Sequence, residues 1–202
     1  MKLIILAASL ALPYAVSAAE QTFDFKDPKG VNHASFVLDA PLEAIGGNAN
    51  GVSGTLTIDP AKPEATKGSI VVDAKTLSVE NAMMKTHMLG ADWMDVEKNP
   101  TITFTVGSLS DVKKTGDTVT ATVNGKFSLK GVEKEISVPA KVTLLPDKLG
   151  ARTGGKLKGD LLVVRTEFTI KRSDYGINPK APTDKVSDEI KVTLAIAGSS
   201  PK

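Results

Sequence analysis

Cysteine is absent from the 202 residues. That excludes disulfides, thiol nucleophiles, Fe–S clusters and cysteine-ligated zinc. Histidine occurs only as His33 and His87, so a three-histidine metal site is excluded as well. Neither sign of charge is in excess: 25 Lys and Arg stand against 23 Asp and Glu, a net +2. Nucleic-acid binders usually carry a basic excess or stripe, so a nucleic-acid partner is not expected. Catalytic signatures are missing too. The chain has no G-x-S-x-G, no Walker pattern, no dinucleotide-binding glycines and no calcium loop. Its carboxylates are scattered, with no pair readable as glycosidase machinery. These absences favour a binding protein over an enzyme. What remains is ordinary globular composition, 41% hydrophobic and 24% charged, in a length that suits one domain.

The first residues read as a targeting signal. Lys2 supplies a positive start, residues 3–16 are mostly apolar, and Val16-Ser17-Ala18 offers the small residues of a cleavage site. The segment is too short to span a bilayer, so a cut after Ala18 is expected, leaving 19–202 as the mature domain. No later run approaches the ~18 apolar residues of a membrane helix, so stable membrane insertion is not expected. A short cleavable signal suggests a periplasmic protein.

The mature chain alternates. Val119, Ala121, Val123, Phe127 and Leu129 share odd positions, and Ile136, Val138, Ala140, Val142 and Leu144 share even ones. This predicts an antiparallel hairpin with its turn at residues 130–133. Asn124-Gly125 looks like a hairpin turn, but the alternation runs through it without a phase change, so Gly125 is expected to mark a bend or bulge. The period of two recurs at Val52/Leu56/Ile58, Ile70/Val72, Ile102/Phe104/Val106, Leu162/Val164/Phe168/Ile170 and Ile190/Val192/Leu194/Ile196. With 23–27 and 31–39, about eight or nine strands are predicted, in an all-β, up-and-down antiparallel barrel or a sandwich. Pro139 should lie at an edge or bulge. The segment 146–160 reads as a flexible Gly/Lys loop.

Residues 80–95 break the rhythm and predict a short helix ending near Gly90. All four methionines after Met1 lie here, Met83, Met84, Met88 and Met94, with His87 and the only tryptophan, Trp93. Three readings compete. The helix could plug a barrel end, with Met filling irregular gaps. It could form the mouth of a ligand cavity, because Met adapts to flexible apolar ligands. It could hold Cu(I) through Met83, Met84, His87 and Met88, with Met83 and His87 at i,i+4. His33 is out of phase with Phe36 and Leu38 and should be exposed. Arginine is scarce. Arg165 shares a face with Glu167 and reads as a surface ion pair. Arg172-Ser173-Asp174-Tyr175-Gly176 follows a strand directly, and Asp174 beside Arg172 could brace the turn.

These pieces together resemble the YceI-like family. The resemblance rests on Ser53-Gly54 before Leu56-Thr57-Ile58-Asp59, on His87-Met88 and Asp92-Trp93, on Asn99 to Phe104, and on Gly125 to Val132. It is completed by Arg172 to Gly176 and Ser187 to Lys191, and it covers nearly all of the mature chain. Met84-Lys85 stands where many members carry Arg-Asp, which makes the helix more apolar. The resemblance implies a secreted, lipocalin-like barrel that binds a polyisoprenoid or similar fatty amphiphile and needs no other cofactor. The expected cavity and mouth residues are Phe36, Met83, Met84, Met88, Trp93, Ile102, Phe104, Phe127 and Phe168. His87, Arg172 and Asp174 are expected to orient the helix or meet a headgroup.

Overall fold

Residues 20–202 are described in a computed structural model of the chain; the expected signal 1–18 and its cut lie outside them. Eleven strands form one antiparallel sheet. They are β1 (Gln21–Asp24), β2 (His33–Asp39), β3 (Ala44–Ala49), β4 (Val52–Ile58), β5 (Lys67–Asp73), β6 (Ser78–Val79), β7 (Thr101–Thr115), β8 (Thr118–Leu129), β9 (Val132–Leu145), β10 (Gly159–Lys171) and β11 (Glu189–Pro201). β1 and β2 act as one interrupted stave, both pairing with β11, and β3 and β4 form the next, pairing with β2 and β1. The result is an eight-stranded closed barrel, in which sequence neighbours are spatial neighbours.

The expected hairpin is β8–β9. Leu129 faces Val132, so the turn is only Lys130-Gly131, with φ of 49° and 74°. Both residues are left-handed, as a two-residue hairpin turn requires. β8 runs unbroken through Asn124-Gly125, and the extra residue lies across from it, where the register of β7 slips between Val106 and Ser108. Gly125 has a different duty. A Cβ there would meet the Thr105 carbonyl oxygen at 2.3 Å and the Phe104 ring at 2.7 Å, so only glycine lets that ring lie flat on the wall. Pro139 sits where β9 parts from β10: pairing covers Ala140 to Leu145, and residues 132–139 have no β10 partner. A residue without an N–H fits such an edge.

Two strands escaped the sequence reading. β3 (AIGGNA) has too few side chains to show a period, and β6 is two residues long. The segment 146–160 is not the loop expected. It contains α2 (Leu149–Thr153), with Leu149 2% exposed and Arg152 bonded to Asp27 and Asn32. Arg165 also differs: its guanidinium donates to the Val164 and Ile196 carbonyls, and Glu167 pairs instead with Lys191.

The core is the barrel interior. Even residues of β10 and β11 and odd residues of β8 point inward, as the alternation requires. At one end Phe23 and Phe25, both 0% exposed, pack with Leu162 and Ile196 and fill the space beneath β1 and β11. At the other end lies α1 (Ala82–Leu89). Its Asn81 side chain caps the Met83 and Met84 amides, and Gly90 ends it, as expected.

A candidate ligand cavity inside the barrel

The interior is not filled. A cavity of about 510 Å³ runs through it, walled chiefly by Val, Ile, Leu and Phe side chains from every stave. That volume lies within the range of small-molecule sites. Of the expected residues, Phe36, Met84, His87, Met88, Trp93, Ile102, Phe104, Phe127, Phe168 and Arg172 line it. Parity explains the wall members: each sits on the inward phase of its strand. Phe127 and Phe168 pack edge to face, with centroids 5.8 Å apart, and Phe127 makes a second such pair with Tyr175 at 5.7 Å.

Met83 and Asp174 are not brought to the cavity. Met83 is 70% exposed and does not line it, while Met84, one residue on, is 38% exposed and does. The helix buries no residue fully, so adjacent methionines fall on opposite sides of its rim. Asp174 lies outside the barrel and pairs with Lys134 of β9 at 2.9 Å, not with Arg172. Alternation also pointed to inward residues that were not singled out as ligand contacts, among them Leu38, Val123, Val138 and Val164. Met94 lines the cavity as well, from the turns after α1.

Arg172 is 1% exposed and spends its donors on backbone. Nε donates to the Ser187 carbonyl, Nη1 to Ile177 and Asn178, and Nη2 to Ala181 and Val186. Its Cζ lies 5.8 Å from the Trp93 ring centroid. The guanidinium thus holds the 177–187 connection across the helix end of the barrel, and no donor is left for a headgroup. Asp188 stands close by. Burial pushes its carboxyl up, but the Ser173 hydroxyl and amide, with Arg172 and Lys171, outweigh this and hold it below its ordinary value. Lys130 ties the β8–β9 turn to the same end, its ammonium donating to the Asp92 and Gly176 carbonyls. Burial lowers that lysine's pKa from 10.5.

His87 does not orient the helix through its ring: no hydrogen bond joins the imidazole to the described residues. It stands exposed at the rim beside Met84. Next to it a groove of mixed lining, about 940 Å³, runs along β3 and β6, with His33, Ser35, Asn48, Ser78, Glu80 and Asn81 beside Ala44, Ile45, Val79 and Met84. Groove and cavity share Ser35, Glu43, Ile45, Val79 and Met84 in their linings, so they meet along the wall formed by β3 and β6. His33 is exposed, as its phase predicts, and its Nδ1 lies 3.0 Å from the Val31 carbonyl oxygen. Every buried side-chain N or O among the described residues has a hydrogen-bond partner. The wall is apolar but for the Thr166 hydroxyl, which donates to the Pro139 carbonyl, and the charged groups of the lining lie at its ends.

An eight-stranded, antiparallel, up-and-down barrel enclosing an apolar cavity is the lipocalin-like class of architecture. Within that class the chain belongs to the YceI-like family, whose domain matches residues 14–197. An UPF0312 protein of Pseudomonas aeruginosa is 29% identical over 198 residues, covering 95% of each chain. One from Shewanella oneidensis is 29% identical over 200 residues, covering 96% of this chain and 94% of its own. Among solved structures, Burkholderia cenocepacia BcnA superposes with a TM-score of 0.66 at 22% identity, over 82% of this chain and 95% of that one. A polyisoprenoid binding domain from Saccharophagus degradans gives 0.65 at 14% identity, over 91% and 100%. Both likenesses are of fold.

Proposed function

We propose that this protein binds an amphiphile with a long apolar tail, of the polyisoprenoid type, inside the barrel, and sequesters or carries it in the periplasm without altering it. The observation that carries this reading is the cavity itself, about 510 Å³ of space walled chiefly by aliphatic and phenylalanine side chains inside the barrel. An empty apolar interior costs packing energy, and a tail that fills it recovers roughly 0.8 kcal/mol for each methylene removed from water. Such a ligand needs few polar contacts, and the walls offer little beyond the Thr166 hydroxyl. The polyisoprenoid binding domain of similar fold and the chain's family support the ligand class. The amino-terminal sequence supports export. Binding without chemistry fits a lining whose acidic and basic groups, Glu43, Asp59, His87, Lys114 and Asp117, stand at the rims and not along the apolar walls.

Native mass spectrometry of the protein purified from its own host tests the reading. The expected spectrum shows a noncovalent adduct that organic solvent releases as an apolar molecule. A second sample, Met84→Lys combined with Met88→Lys, places two ammonium groups at the apolar mouth. It should keep its β circular dichroism and lose most of the adduct. A wild-type protein that is ligand-free from its host, and remains so after incubation with prenyl alcohols, overturns the reading.

A further inference from the structure

Six residues of the cavity lining are exposed, and they fall into two groups. Glu43, Met84 and His87 stand at the α1 end. Lys114, Gly116 and Asp117 stand at the tip of the β7–β8 hairpin, at the opposite end of the barrel. Between the two groups every lining residue is buried or half-buried. β7 connects the ends over its 15 residues, a distance of roughly 30–35 Å along the barrel axis after strand tilt. The cavity therefore reaches the surface twice.

The second opening has a built rim. Its far side is the β4–β5 connection, where Asp59, Pro60, Pro63 and Thr66 line the cavity. Its near side is the hairpin tip. β7 carries two register slips, Val106/Ser108 and Ser110/Lys113, and bulges of this kind bend a strand and raise its twist. The bent tip packs against the turn at Pro63–Ala65. The Lys114 ammonium spans the rim and donates to the Pro60 carbonyl at 2.7 Å. Elsewhere this end is closed by Phe23 and Phe25. The two mouths differ in chemistry. The α1 mouth borders the groove at Glu43 and Met84, where hydrogen-bonding groups for a head are at hand. The far mouth is narrow, proline-edged, and has its ammonium already engaged.

We infer that the barrel is a through-passage, in which the far mouth between Pro60, Pro63, Lys114 and Val119 is a subsite for the end of the tail. The inference rests on the lipid-binding reading above. The head stays in the groove beside α1, and the tail threads the barrel until its end lies beneath the Lys114–Pro60 tie. A tail longer than the barrel continues into solvent there instead of folding back. Tail length is then not capped by the closed volume, and long prenyl chains bind in the same register as short ones.

The test uses the wild-type protein and a prenyl alcohol whose extended tail matches the length of the barrel, with a diazirine on its terminal isoprene unit. After irradiation the label is mapped by peptide mass spectrometry. Label on 59–66 and 114–119 is expected. Label confined to 34–45, to 80–94 or to the middle of the barrel overturns the through-passage. A companion variant, Val119→Phe, narrows the far mouth, and Trp93 fluorescence follows titration with farnesol and solanesol. The variant should lower affinity for solanesol relative to farnesol by about tenfold or more. An unchanged ratio in a variant with wild-type circular dichroism overturns the subsite. If wild-type protein binds neither alcohol, the lipid-binding reading itself has failed, and that outcome is distinct from both of the others.

Discussion

Arg172 is a buried charge, and Asp188, a carboxylate that feels it, is occupied by Ser173. Five backbone carbonyls do the work of a counterion. Only a planar fork with five donors can serve them together, so lysine is not a substitute. Arg172→Ala leaves those carbonyls unpaired in a dry site, at a cost of about 3–5 kcal/mol, and Arg172→Lys should recover less than half of it. Urea unfolding followed by Trp93 fluorescence measures both, and a loss below about 1 kcal/mol for Arg172→Ala would show the clamp to be ornamental. The turn that follows shows what local sequence can and cannot reveal. Arg172 and Asp174, two residues apart, invite pairing. Asp174 takes Lys134 from β9 instead, because the turn lies against that strand. Partners supplied from another stave leave no mark in local spacing.

At the scale of elements, α2 and the 25–32 connection are fastened together through Asp27. Burial pulls its carboxyl upward, but the amides of Asn32, Lys29 and Val31 and the Arg152 guanidinium prevail, holding its pKa below 3.8. A carboxylate depressed in the folded state contributes stability above its unfolded value, and that contribution is lost as pH falls through the folded one. Asp160 and Asp188 are depressed as well. Stability should therefore be flat near neutrality and fall as the pH drops below about 4. Asp27→Asn should be less stable at pH 7 and show a shallower acid limb, read from urea midpoints across the range. Parallel limbs in mutant and wild type would remove Asp27 from the account. The long strands were legible because a wall between solvent and interior imposes a period of two on β8, β9, β10 and β11. β3 was not, because Gly47 faces inward and the Phe36 ring occupies its place: a Cβ there would lie 2.3 Å from that ring. α2 was hidden because a single buried side chain, Leu149, anchors it. In α1 no residue is buried, so periodicity could not separate Met83 from Met84. The far rim gave no signal at all, because Pro60 and Lys114 meet only through the bulges of β7.

At the scale of the whole molecule, the barrel closes on a thin seam. β1 and β11 share a single paired position, Asp24 with Ser199. Beyond it the chain loops out at 25–32, and one side chain takes over from the missing ladder. Asn32, 2% exposed, donates to the Phe25 and Ala197 carbonyls and accepts from the Ala197 amide and from Arg152. Asn32→Ala breaks all four contacts at once, at a cost of about 2–4 kcal/mol. Amide exchange at residues 195–199 should quicken while the β8–β9 hairpin stays protected. Uniform acceleration around the barrel would mean that the seam does not open independently.

The placement of Met83 and Met84 has a consequence in redox chemistry. Both thioethers sit on one short helix, one facing water and the other at the cavity rim. Oxidation to the sulfoxide would turn the rim polar and hinder entry of an apolar tail. A resident tail would in turn screen Met84 from oxidant and leave Met83 as reactive as before. Under dilute peroxide, the ratio of sulfoxide at Met84 to that at Met83 should fall as a prenyl alcohol is added. The exposed neighbour then serves as an internal clock, and the protein's own sulfur atoms record how full the barrel is.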